Sequence, residues 1–221
     1  MKGILFNTEM VQAILEDRKT QTRRLIDWDI SNNMDGDVAS GYSVQTDNGL
    51  MDSLELCKYQ KGDILYVRET WKIVEFDYSV MGMAINYEAD ETWEYIEFSS
   101  DRFEKFKKYY DKKGWQPSIF MPKEAARIFL KVTDIRMERV QDITEENASN
   151  EGAKKVVWYK PYDKGPEDIS GLPGYPDERI SWRNGFATLW DGLYFEKGYG
   201  WDTNCWVWVI EFERCEKQDE N

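Results

Sequence analysis

The sequence predicts an α+β fold, a small β-barrel decorated by short helices and carrying long insertions. Three observations predict it. Residues 64–71, 127–137 and 205–213 are β-prone runs, and the last alternates Trp206, Trp208, Ile210 and Phe212 against Val207 and Val209. The stretches of helical spacing between the runs are short. A hydrophobic fraction of 41%, with 15% aromatics, is enough to bury a sizeable core and rules out global disorder. The length of 221 residues suits one domain, 1–221, with insertions at about 27–60, 77–120 and 153–180.

The elements follow in order. Ile4 to Phe6 predicts a strand, and Thr8 caps a helix whose Val11, Ile14 and Leu15 share a face. That helix ends near Asp17, and Arg18-Lys19-Thr20-Gln21-Thr22-Arg23-Arg24 leads into a strand closing at Leu25-Ile26. Residues 27–60 read as an insertion with a hairpin. Lys61-Gly62-Asp63 is a turn before the strand at 64–71, and 72–88 holds one or two more strands. Phe103, Phe106, Lys107 and Tyr110 mark a short amphipathic helix. After the strand at 127–137, Thr144 caps a helix that runs to Glu151 and is stopped by Gly152. Pro161, Pro166, Pro173 and Pro176 make 153–180 a loop. Trp182, Phe186, Leu189, Trp190 and Leu193 then mark a last helix before the final strand, whose two faces should both be covered.

Composition narrows the chemistry. The net charge is −13, so tight sequence-independent binding to a phosphate backbone needs a local basic patch. Histidine is absent, which removes Ser-His-Asp and Cys-His catalysis and His-ligated zinc. Acid–base work at neutral pH then falls to Glu, Asp, Lys, Tyr or Cys. Cys57, Cys205 and Cys215 form no CxxC and read as reduced thiols of a cytoplasmic protein. The N-terminus carries no signal-peptide pattern and no apolar run is long enough to span a bilayer.

Three polar clusters stand out, each with a plainer reading beside the functional one. The basic segment Arg18–Arg24 is either a solvated helix end, favoured by the helix dipole, or a supported functional loop. Arg68 and Glu69 sit in an apolar strand, where an ion pair is the plain expectation. Glu151 stands at a helix C-terminus, against the dipole, as a tolerated surface acid or one with a basic partner.

The stretches ILEDRKTQTRR, KGDILYVRETW, VTDIRMERVQDITEENASNEG and GYGWDTNCWVWVIEFER occur in that order. Together they resemble ASCH-domain proteins, especially the long versions encoded by bacteriophages and prophages. The resemblance implies a β-barrel similar to the RNA-binding PUA domain. One bacterial member is an amidohydrolase that deacetylates N4-acetylcytidine, and the resemblance to it implies a Lys-Thr-Glu constellation. Its G-x-K-x-x-T stretch matches Asp17 to Thr22, so Lys19 and Thr22 fall on its lysine and threonine, and Glu151 on its glutamate. Arg24 matches an arginine common in the family. Asp17 replaces the usual glycine, and Asp reaches a left-handed turn more readily than most residues. Many members have Glu at the position of Thr22, whereas the amidohydrolase has Thr.

The resulting expectation is a nucleoside amidohydrolase with Lys19, Thr22 and Glu151 as catalytic residues and Arg24, Arg68 and Glu69 as substrate-binding residues. It needs no metal or cofactor. Lys19 serves if burial and neighbouring arginines leave a neutral amine, Glu151 moves protons, and Thr22 hydrogen-bonds the lysine or the oxyanion. Tyr66, Trp71 and Trp158 are aromatics available to stack on a base. The competing expectation is a non-catalytic RNA- or nucleotide-binding module of phage origin, with a ribonuclease third. The partner is accordingly a modified nucleoside or RNA, with no membrane.

Overall fold

Residues 1–26, 34–35, 43–46, 49–112, 114–157 and 180–217 are described by a computed structural model. The first half of the chain contributes β1 (Lys2–Leu5), α1 (Thr8–Leu15), β2 (Gln21–Leu25), β3 (Met34–Asp35), β4 (Ser43–Thr46), β5 (Gly49–Asp52), β6 (Ile64–Arg68), β7 (Trp71–Asp77), β8 (Gly82–Tyr87), β9 (Trp93–Glu97) and α2 (Ser100–Asp111). The second half contributes β10 (Phe129–Arg139), α3 (Glu145–Asn150), β11 (Val156–Val157), β12 (Ile180–Ser181), α4 (Trp182–Tyr194) and β13 (Trp206–Cys215). The class is α+β. Among the described residues no ladder closes the strands into a barrel, because closure requires the outermost strands of a sheet to pair.

Contacts divide the chain into two units, the first comprising Met1–Asp17, Gly62–Lys131 and Glu213–Asn221. In it β1 pairs parallel with β6, Ile4 opposite Val67, and β6 pairs antiparallel with the start of β10, Leu65 opposite Leu130. The region expected as an insertion at 77–120 supplies β8 and β9, which extend β7 into a three-stranded antiparallel meander, followed by α2. α2 turns Phe103 and Phe106 inward, and Phe103 meets Phe76 of β7 at 4.5 Å between ring centroids. Trp71, Met83, Ile85 and Tyr87 complete this core, so Trp71 is a core residue rather than a base-stacking one. Asn7, not Thr8, caps α1: its side chain accepts from Met10 N at 2.9 Å, one residue earlier than expected.

The second unit comprises Arg18–Lys61 and Val132–Phe212. Its strand order is β10-β13-β2, with Arg23 opposite Val209 and Thr22 opposite Ile210 in the antiparallel β13–β2 ladder. β13 buries residues of both faces, as its alternation predicts. Its core gathers Val207 and Val209 with Val140, Ala148, Phe186 and Trp190 from β10's exit, α3 and α4. β3, β4 and β5 form a small antiparallel sheet in the 27–60 segment. β11 and β12 pair at the two ends of the 153–180 segment. Its middle, with Trp158, lies outside the described residues. Among the described residues no helix is long and apolar enough to cross a membrane.

Candidate active site

Backbone chemistry places Lys19. Asp17 takes the left-handed conformation, φ 55°, which Asp reaches more readily than most residues. The following residues are extended, and Lys19 makes an isolated antiparallel bridge with Glu151. Thr20 N donates to Asn150 O at 2.9 Å beside it. α3 begins as its sequence requires, with Thr144 Oγ1 accepting from Asn147 N at 3.1 Å. It ends at Glu151, and Gly152 follows with φ 78°, the left-handed stop that glycine adopts at no steric cost. Two local signals thus bring together residues 132 positions apart.

The side chains meet in the interior. Lys19 Nζ donates to Glu151 Oε2, to Glu151 O and to Gln21 O, each at 2.8 Å. The two side chains are 0% and 4% exposed, so this is an ion pair taken out of water. Glu151 Oε1 accepts from Arg23 Nη1 at 3.0 Å. Arg23 Nη2 donates to Glu138 Oε2 at 2.6 Å, and Glu138 Oε1 accepts from Arg136 Nε at 2.6 Å. Arg136 in turn binds Glu211. The Glu151 carboxylate is therefore flanked by two cations. Burial pushes the Lys19 ammonium below its ordinary value; Glu151 opposes that, and the charges of Arg24 and Arg23 add to it.

Thr22 is 1% exposed and its Oγ1 accepts from Arg24 Nη1 at 2.5 Å. Arg24 Nη1 also donates to Arg23 O at 3.0 Å. By strand alternation Thr22 and Arg24 point to the face of β2 opposite Arg23. The structure thus joins Lys19 directly to Glu151 and Thr22 directly to Arg24.

Arg68 and Glu69 belong to the first unit. Glu69, 1% exposed, accepts from Arg127 Nε and Nη2 at 2.9 Å each. Arg127 also donates to Asp90 and Thr92 and lies 4.0 Å above the Tyr87 ring. Arg68 donates to the Ile119 carbonyl. The ion pair expected of Arg68 is not formed among the described residues: the partner of Glu69 is Arg127, and Arg68 turns to a main-chain carbonyl.

The residue missed by sequence reasoning is Arg23. A signal existed: Asp134, Arg136 and Glu138 alternate in sign at a spacing of two, which puts them on one face of a strand and asks for a cationic neighbour. A cavity of about 250 Å³ lined by Asp191, Phe195, Trp201 and Asp202 lies elsewhere in this unit. Among the described residues no group of three or more His, Cys, Asp or Glu is gathered to hold a metal ion. Compared with protein-family models, curated proteins and solved structures, the chain matches none.

Proposed function

We propose that this is a PUA-like, ASCH-type protein of the cytoplasm that hydrolyses the amide of N4-acetylcytidine or a similarly acylated nucleoside. The observation carrying the reading is the buried contact of 2.8 Å between Lys19 Nζ and Glu151 Oε2. Burial favours the neutral amine of Lys19, which leaves a basic lone pair beside the Glu151 carboxylate. Direct attack by the amine would leave an acyl-lysine, itself an amide as inert as the substrate. The neutral amine is therefore the base. It takes a proton from water as the water oxygen bonds to the acyl carbon. The carbon–N4 bond then breaks, N4 receives the proton relayed through Glu151, and cytidine and acetic acid leave, the acid giving its proton to solvent. Arg24, held against Thr22, supplies a charged donor for the substrate.

An RNA-binding module has less support. Of the basic segment, Lys19 and Arg23 are turned inward onto acids, which removes them from any phosphate-facing surface. The test is incubation of the purified chain with N4-acetylcytidine, with cytidine followed by chromatography. The expected result is release that the Lys19→Ala variant lacks. No release above that variant overturns the reading for this substrate.

A further inference from the structure

Lys19 and Glu151 are two members of a longer series of charges, and the next member is the informative one. Arg23 is fully enclosed, with 0% of its side chain exposed. Its Nη1 reaches Glu151 and its Nη2 reaches Glu138, while its buried Nε has no hydrogen-bond partner among the described residues. A guanidinium buried with a donor unsatisfied is unfavourable. Buried ion clusters are also weak stabilisers compared with apolar side chains of similar volume. Stability alone therefore gives a poor reason for Arg23.

We propose that Arg23 is a positioning residue for the Lys19–Glu151 pair, holding Glu151 Oε1 so that Oε2 is presented to the lysine, with Glu138 anchoring Arg23 from its other side. The proposal rests on the hydrolase reading for its purpose but not for its geometry. A carboxylate rotates freely about its last bond in water. Here one oxygen is fixed by a group that never loses its proton, and the other faces a group that can. Arg23 also acts as a fixed positive charge on the pair, and Glu138 offsets that charge.

The charged surroundings are contributed by several elements. β2 supplies Arg23 and Arg24, the end of α3 supplies Glu151, and β10 supplies Glu138 with Arg136 behind it. On α4 the Tyr194 phenol senses Arg24 and Glu151, but burial raises its pKa, so it stays neutral across the working range. The two acids on Arg23 make opposite demands on a test. Arg23→Gln removes a cation beside Lys19, so the lysine holds its proton to higher pH. Glu138→Gln removes the anion that offsets Arg23, so the lysine releases its proton at lower pH. Glutamine at 138 still offers one oxygen to Arg23, so this second variant removes the charge and keeps the contact to Arg23 while giving up the hydrogen bond from Arg136.

The experiment is a titration of the Lys19 side-chain carbon resonance in the full chain with ¹³C-labelled lysine, assigned by its absence in Lys19→Met. The expected result is an upward shift in R23Q, a downward shift in E138Q, and the same order in the pH of half-maximal deacetylation. Turnover of R23Q at neutral pH falls on the order of tenfold. A Lys19 titration unmoved by both variants, or moved in one direction by both, overturns the proposal. Opposite shifts in a chain that releases no cytidine support the positioning role and overturn the hydrolase reading instead, so the two failures are distinguishable.

Discussion

Two buried ion pairs, one in each unit, show how the same two charges can be built for different ends. Glu69 and Arg127 meet fork to fork, both carboxylate oxygens on one guanidinium, and that guanidinium is further held by Asp90, Thr92 and the Tyr87 ring. Arginine does not release its proton, so the pair is a strut. Glu151 instead divides its oxygens between Lys19 and Arg23. Lysine does shift its pKa when buried, so here a proton has somewhere to go. The lesson is that the choice of cation, and not burial alone, separates a fixed contact from a reactive one.

The comparison breaks most sharply at Lys19. Lys19→Ala is expected to lower the rate of cytidine release about 10²–10⁴-fold, measured as initial rates at saturating N4-acetylcytidine. The strut is tested by stability. Arg127→Met leaves Glu69 buried without its fork and should lower the unfolding free energy by about 3–5 kcal/mol, read from urea midpoints. A loss of under about 1 kcal/mol would mean that the pair is dispensable.

pH sharpens the contrast further. The lysine's pKa is lowered on folding, so between that value and 10.5 the unfolded chain binds the proton that the folded chain has released. On Lys19's account stability therefore rises with pH across that window and is flat below it. The basic form of the amine is the active one, so the rate should rise with pH along a limb centred below 10.5 and absent in the Lys19→Ala variant. A limb centred at or above the ordinary lysine value sinks this assignment.

The smallest effects compare the two helix starts. Asn7→Ala and Thr144→Ala each remove a side-chain cap and should each cost about 1 kcal/mol in denaturant titrations. Only Thr144→Ala should also reduce turnover, because α3 carries Glu151 at its end.

Much of the local structure was legible. The Thr144 cap and the Gly152 stop are chemical signals within a few residues of what they control, and both act as their residue types predict. The alternation in β13 was legible for the same reason. The cap of α1 was displaced by one position, because Asn7 and Thr8 are adjacent residues of capping type and only packing chooses between them. β7 and β8 are the strands expected over 72–88, whereas β9 lies in a highly charged stretch and is mostly exposed, so no buried face marks it in the sequence. The charge network was legible only in pieces. Lys19 and Glu151 came from the family resemblance, whereas Arg23 looked like one more cation in a basic run. Nothing local distinguishes a buried arginine from a solvated one when its acids come from β10 and the end of α3.

The backbone seam at Lys19, Thr20, Asn150 and Glu151 has a practical corollary for all of these measurements. Main-chain atoms, which no substitution removes, stitch the start of β2 to the end of α3. Exchanging the amine or the carboxylate for a neutral isostere therefore deletes a functional group without cutting the main-chain bonds between the two segments, and a lost rate is assigned to missing chemistry in a variant whose urea midpoint shows it folded.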